Sequence, residues 1–282
     1  MRDQTMWTAL PGERFELGEG LRRLDDGRTI MVDILSGRLL LLPESLDEQP
    51  SVLLELNGPL GAVAPRGDGW IAAAGPGIAL LDGTEVTWLA RPEQGEHPAM
   101  RMNDGVADPH GRFWAGSMAY GAVPGAGALY RVDRNRSVAQ VLTGLTVPNG
   151  PAFTADGATM YLADSAHGVI YRYPVDPDSA ALGPRSTFAT VPVGSPDGMT
   201  VDDEGCLWSA IWGAGELHRY TPDGDLERVV PVPAAQPTSV CLAGDRLIVT
   251  TARTGLSDPT DLDGAVLHMP APATAPPAST FR

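Results

Sequence analysis

Short apolar runs alternate with glycine-bearing polar turns along the whole chain. Thr29-Ile30-Met31-Val32, Trp70-Ile71-Ala72-Ala73, Phe113-Trp114-Ala115, Met160-Tyr161-Leu162, Leu207-Trp208-Ser209-Ala210-Ile211 and Leu247-Ile248-Val249 are too short for helices and rich in strand-forming residues. No segment carries a helical period. Each run follows a turn whose marker glycine is Gly27, Gly69, Gly111, Gly157, Gly205 or Gly244, at spacings of 42, 42, 46, 48 and 39 residues. A second glycine then opens a further strand at Gly37, Gly77, Gly127, Gly168, Gly215 and Gly264. Six all-β units of about 40–45 residues match propeller blades, each of about four strands around a central channel. A β-sandwich does not account for a sixfold repeat. The expectation is therefore an all-β, six-bladed β-propeller forming one domain over residues 1–282. Trp7-Thr8-Ala9-Leu10 should supply a strand that closes the ring with the last blade, and the Pro/Ala-rich stretch 269–282 should be irregular.

Composition narrows the partners. The chain has 33 Gly and 26 Pro spread throughout, and a net charge of −15 that disfavours nucleic acid. Apolar runs are too short to span a bilayer, and the first residues carry no apolar core of signal-peptide length, so the expected location is the cytoplasm without membrane attachment. Cys206 and Cys241 lie in apolar runs with no Cys-x-x-Cys neighbour and read as buried free thiols.

The phase of the repeat exposes a candidate site. Eight residues before the markers stand Glu19, Gly61, Asn103, Asn149, Asp197 and Gln236. Asn-Gly and Asp-Gly pairs are ordinary turn formers, and Asn103-Asp104-Gly105 by itself reads as a turn whose Gly105 end bends the chain. Glu19 has no such turn role, and equivalent blades place these residues at one height around one channel. Glu, Asn, Asn and Asp offer only oxygens, with no thiolate or His in phase. That set suits a hard divalent cation: calcium, magnesium or manganese ahead of a structural zinc.

Gly18-Glu19-Gly20, Arg101-Met102-Asn103-Asp104-Gly105, Asp108-Pro109-x-Gly111-Arg112-x-Trp114-x-Gly116-Ser117-Met118, Pro148-Asn149-Gly150 and Ser195-Pro196-Asp197-Gly198-Met199 together resemble the SMP-30/gluconolactonase/luciferin-regenerating-enzyme family over nearly the whole chain. The resemblance implies a six-bladed propeller with one divalent metal in its channel, calcium first, with magnesium, manganese or zinc as alternatives. It implies Glu19, Asn149 and Asp197 as metal ligands and Asn103 beside the metal, in contact with substrate or coordinated water and a fourth candidate ligand. Arg101 matches a substrate-binding arginine, and Asp197 the general acid/base. Two stretches depart from the family pattern. Gly20-Leu21-Arg22-Arg23 stands where a small residue, Pro and an aromatic usually follow the Glu. Ala119-Tyr120-Gly121-Ala122-Val123-Pro124 lacks the acid often found there.

These residues support hydrolysis of a sugar lactone or similar small cyclic ester, with a metal-polarised carbonyl, Asp197 moving the proton and Arg101 orienting substrate. The rival readings are hydrolysis of another ester or phosphoester, a step in a specialised pathway, or a non-catalytic metal-stabilised propeller that binds a ligand. No Gly-x-Ser-x-Gly elbow, Gly-x-Gly-x-x-Gly, P-loop or His-Glu-x-x-His supports another route. Trp114 and Trp208 read as core, while Trp212 and Arg253, near strand ends, are placed to reach the channel mouth.

Overall fold

The computed structural model describes residues 6–282. Its strands form six four-stranded antiparallel sheets, and each sheet takes consecutive strands except the last. Blade 1 comprises Gly18–Arg23, Thr29–Asp33, Arg38–Leu42 and Ser51–Glu55. The inner strands of the following blades are Leu60–Arg66, Met100–Ala107, Pro148–Phe153, Ser195–Val201 and Pro237–Ala243. Blade 6 is completed from the other end of the chain: Thr8–Ala9 pairs antiparallel with Val266–Pro270, as the pattern of Trp7–Leu10 led one to expect.

The blades stack face to face, so the strands in the middle of each sheet are buried on both sides. Thr29–Asp33 and Phe113–Ala119 are buried throughout, which is why they read as continuous apolar runs and not as alternating ones. Outer strands such as Ser51–Glu55 and Leu226–Pro231 are mostly exposed. Between blades 2 and 3, Ile71, Ile78, Met102, Phe113 and Tyr130 pack into one apolar cluster. Equivalent clusters fill the other blade interfaces, so the apolar area that stabilises the ring is spread around it.

Five of the six marker glycines lie in the turn after an inner strand with positive φ: Gly27 (87°), Gly111 (82°), Gly157 (69°), Gly205 (77°) and Gly244 (63°). Blade 2 departs. Gly69 opens its second strand, and the turn glycine is Gly67 at φ 54°. The reason is turn length. Arg66 pairs with Gly69 and Ala243 with Arg246, leaving two-residue loops in blades 2 and 6, whereas blade 3 pairs Ala107 with Phe113.

Three motif positions, Asp108, Arg112 and Trp114, have a structural explanation in a buried clasp. Asp108 Oδ1 accepts from the backbone N–H of His110 and Arg112 at 2.9 and 3.0 Å. Its Oδ2 accepts from Arg112 Nε at 2.8 Å and from the Trp114 indole at 2.9 Å. Blade 5 repeats the device: Asp202 accepts from the Trp208 indole and from Arg219, and Glu204 also pairs with Arg219. Asp202, Glu204 and Cys206 bring potential metal-ligand atoms together, but this arginine and the backbone N–H groups of residues 204 and 206 already occupy Asp202. Asp108→Ala should cost about 3–5 kcal/mol, because it strands a buried guanidinium and an indole N–H. Urea unfolding measures this, and a loss below about 1 kcal/mol would rule the clasp out as a stabilising element.

Met269 and Pro270, the first residues of the stretch 269–282, still belong to the strand Val266–Pro270; beyond them no further strand forms, yet the segment is tied down. Thr274 O accepts from Asp203 N (2.8 Å), and Ala278 N donates to Arg23 O (2.7 Å). Phe281 N then donates to Pro65 O (2.9 Å) and Arg282 N to Gly111 O (3.1 Å). It thus straps across the turn end of the channel, over blades 5, 1, 2 and 3, and encloses a cavity of about 170 Å³ against the ends of the inner strands.

Candidate metal centre

At the opposite end of the channel every inner strand carries a bulge. The register slips between Glu19 and Arg22, Leu60 and Ala62, Met102 and Gly105, Asn149 and Ala152, Pro196 and Met199, and Pro237 and Ser239. A bulge adds residues to one strand and turns their side chains out of the ladder. Here it turns them to the channel axis. This corrects the turn reading of Asn103-Asp104-Gly105: those residues lie inside the continuous strand Met100–Ala107, and no hairpin forms there. It also corrects the sixth counterpart. The bulged residue of blade 6 is Thr238, because the two-residue turn shortens that blade's count; Gln236 precedes the strand. Gly61 is the bulged residue of blade 2, where the misplaced marker and the short turn cancel.

Glu19, Arg101, Asn103, Asn149 and Asp197 converge on one cavity of about 370 Å³ and are all buried. Glu19 and Asn149 pair with Val32 and Ala163 at the edge of the slip, and Gly20 and Gly150, with φ of 59° and 77°, begin the bulge directly after them. Arg101 Nη1 donates to Asn103 Oδ1 (2.7 Å), and Asn103 Nδ2 donates to Asn149 Oδ1 (2.8 Å) and Pro148 O (3.0 Å). Ser165, in a short 3₁₀ turn, approaches from blade 4: Asn149 Nδ2 donates to its Oγ at 2.9 Å.

The electrostatics are those of crowded carboxylates. Burial, followed by the charges of Asp197 and Asp104, pushes Glu19 well above its ordinary value of 4.5. Burial, then Asp104, pushes Asp197 well above its ordinary 3.8. Asp104 is itself raised by burial, although Arg22 acts against that. Arg22 gives the departure after Glu19 a structural account. It crosses from blade 1 to blade 3, donating to Asp104 Oδ1 (3.2 Å) and Gly105 O (3.1 Å). A buried ion pair thus lies behind the carboxylates, outside the cavity lining. Among the described residues Asp197 Oδ1 is buried without a hydrogen-bond donor.

Two facing carboxylates, an amide oxygen from Asn149 and one orphaned carboxylate oxygen suit a hard dication better than they suit each other. Glu19, Asn149 and Asp197 are the groups that would hold it. Asn103 turns its oxygen to Arg101 and gives its NH₂ to Asn149 Oδ1 and Pro148 O, an orientation that braces Asn149 rather than offering a free oxygen to a cation. Above this base the cavity wall is apolar: Leu17, Met118, Ala122, Val147, Ala166 and Trp212, with Ser195 and Thr254. Trp212 does reach the mouth; Arg253 is exposed and does not line it. Ser165 and Arg22 carried no signal in the repeat, since one follows a second strand and the other lies below the bulge.

A six-bladed propeller with an oxygen-donor well at one end of its channel is the class that fold and site define. The chain belongs to the SMP-30/gluconolactonase/LRE-like family, whose model matches residues 17–253. It is 39% identical over 234 residues to a 6-deoxy-6-sulfogluconolactonase of Pseudomonas putida, covering 78% of each chain. To a pentonolactonase of Haloferax volcanii it is 34% identical over 248 residues, 84% of this chain and 81% of that one. Regucalcin from Agrobacterium tumefaciens, described as a calcium-binding protein, superposes with a TM-score of 0.88 at 29% identity, covering 97% and 96% of the two chains. No helix among the described residues is long and apolar enough to cross a membrane.

Proposed function

We propose that this chain is a divalent-cation-dependent lactonase, with calcium as its cation and a small uncharged lactone as its substrate. The observation that carries the reading is the buried Glu19–Asp197 pair with its orphaned Oδ1, at the base of a cavity that also receives Arg101. The two lactonase relatives support the reaction class, and regucalcin supports the cation. A cation held by Glu19, Asn149 and Asp197 supplies positive charge that polarises an ester carbonyl and acidifies a nearby water.

The chain's own residues supply the rest. Asp197 takes the proton of the attacking water and returns it to the ring oxygen as the ester bond breaks. Arg101 faces the charge that develops on the carbonyl oxygen, and burial strengthens that interaction. Asn103, held by Arg101, spends both its N–H groups on Asn149 Oδ1 and Pro148 O and so braces this wall of the site. Among the described residues Arg101 is the sole charged one lining the cavity outside the carboxylate base, so none of them matches a second anionic group on the substrate. The apolar wall with Trp212 suits the C–H face of a small ring.

A pH-stat screen of aldonolactones and aliphatic lactones tests this. Acid release should require calcium and fall at least about 100-fold in chelator, the scale of a lost electrostatic catalyst. Calcium binding without acid release from any lactone would leave a ligand-binding propeller instead.

A further inference from the structure

The hydrogen bonds around Asn149 form a chain whose direction is fixed at both ends. At one end stands Pro196 O, a carbonyl that only accepts. Ser165 Oγ lies 2.5 Å from it, so the single hydroxyl hydrogen of Ser165 is committed there. The Asn149 atom facing Ser165 Oγ must then be a donor, the amide NH₂. At the other end stands Arg101, which only donates. The Asn103 atom facing it must be an oxygen, and the Asn103 atom facing Asn149 is therefore NH₂. That group needs an acceptor, which is again Asn149 Oδ1. Both ends return the same answer. An amide orientation is ordinarily a choice made from neighbours, and here no neighbour permits the other choice.

We propose that Ser165 is a positioning residue for the cation site: by spending its proton on Pro196 O it takes the Asn149 NH₂ as a donor and turns the Asn149 oxygen away from itself, to the side of Asn103, in the cavity that Glu19 and Asp197 share. The inference rests on the reading of Asn149 as a ligand. It gives Ser165, buried in the wall of the cavity, a role that neither the repeat nor substrate contact assigns. It also ties the site together across blades, because Pro196 adjoins Asp197 and Pro148 O, which takes the second Asn103 N–H, adjoins Asn149. Without the hydroxyl, the Asn149 NH₂ loses its acceptor, and Asn103 alone is left to hold the amide.

Calorimetric calcium titration of chelator-stripped protein tests this, with thermal unfolding in chelator alongside. Wild type should bind one calcium per chain. Ser165→Ala should bind about tenfold more weakly or worse, the usual effect of removing a group that orients a metal ligand. Ser165→Thr keeps the hydroxyl and should stay within about threefold of wild type. Equal affinity of wild type and Ser165→Ala, or equal weakness of the Ala and Thr variants, would overturn the proposal. Absence of calcium binding by wild type would instead overturn the metal reading itself. Should Ser165→Ala fail to fold, wild type alone decides through side-chain amide NMR. The Asn149 NH₂ protons should show contacts to Ser165 Hβ with and without calcium, and contacts to Asn103 in their place would refute the orientation.

Discussion

Asp197→Asn protein, saturated with calcium, should open lactones roughly 10³-fold more slowly than wild type, within the range attributed to a positioned general acid or base. The change keeps shape and an oxygen for the cation but removes the group that can take and return a proton. Glu19→Gln provides the contrast. It removes one negative charge from the cation's surroundings without touching the proton path, so its activity should recover as calcium is raised. Initial rates across a calcium titration separate the two variants. Recovery of Asp197→Asn to wild-type rate at high calcium would show that Asp197 only holds the cation.

A second large effect is expected in stability. Without a cation, Glu19 and Asp197 hold protons to higher pH in the folded protein than in the unfolded chain. Below their ordinary values of 4.5 and 3.8 both states are protonated and this contribution is fully present. As pH rises past those values the unfolded chain releases protons that the folded one retains, and stability falls until the raised folded values are passed. The unfolding midpoint in chelator should therefore drop as pH is raised from the acid side toward neutrality. Calcium changes the sign of the demand, because it needs both carboxylates ionised. At a thousand times its dissociation constant it should add about 4 kcal/mol, with the largest gain near neutral pH. Scanning calorimetry at several pH values, with calcium and with chelator, reads both effects. A gain that did not grow with pH would argue against these carboxylates as the binding groups.

Much of this molecule is written in its repeat. The sixfold spacing and the second glycines identify the blades, and Thr8–Ala9 joins Val266–Pro270 as its position implied. The convergence of Glu19, Asn103, Asn149 and Asp197 follows from counting. Counting erred where turn length changed, in blades 2 and 6, because a two-residue loop shifts phase without altering composition. It also mistook a bulge for a turn at Asn103-Asp104-Gly105, since both use residues that tolerate unusual backbone angles. What counting could not reach is contact between blades. Arg22 meets Asp104 across 82 positions, and Ser165 meets Pro196 across 31, through packing that no local pattern encodes.

Gly61 has one more consequence. It occupies in blade 2 the place that Glu19, Asn149 and Asp197 occupy in theirs, yet a Cβ there would overlap the backbone carbonyl of Asn103. Blade 2 therefore approaches its neighbour too closely to grow a ligand, and Thr238 in blade 6 is turned to Gly18 O and Thr250. The number of protein donors at the centre has a ceiling set by how tightly two backbones meet. Any coordination place that a cation bound here would keep for water and substrate is thus tied to the ring's closure, and a side chain at Gly61 could reach it only by prying two blades apart.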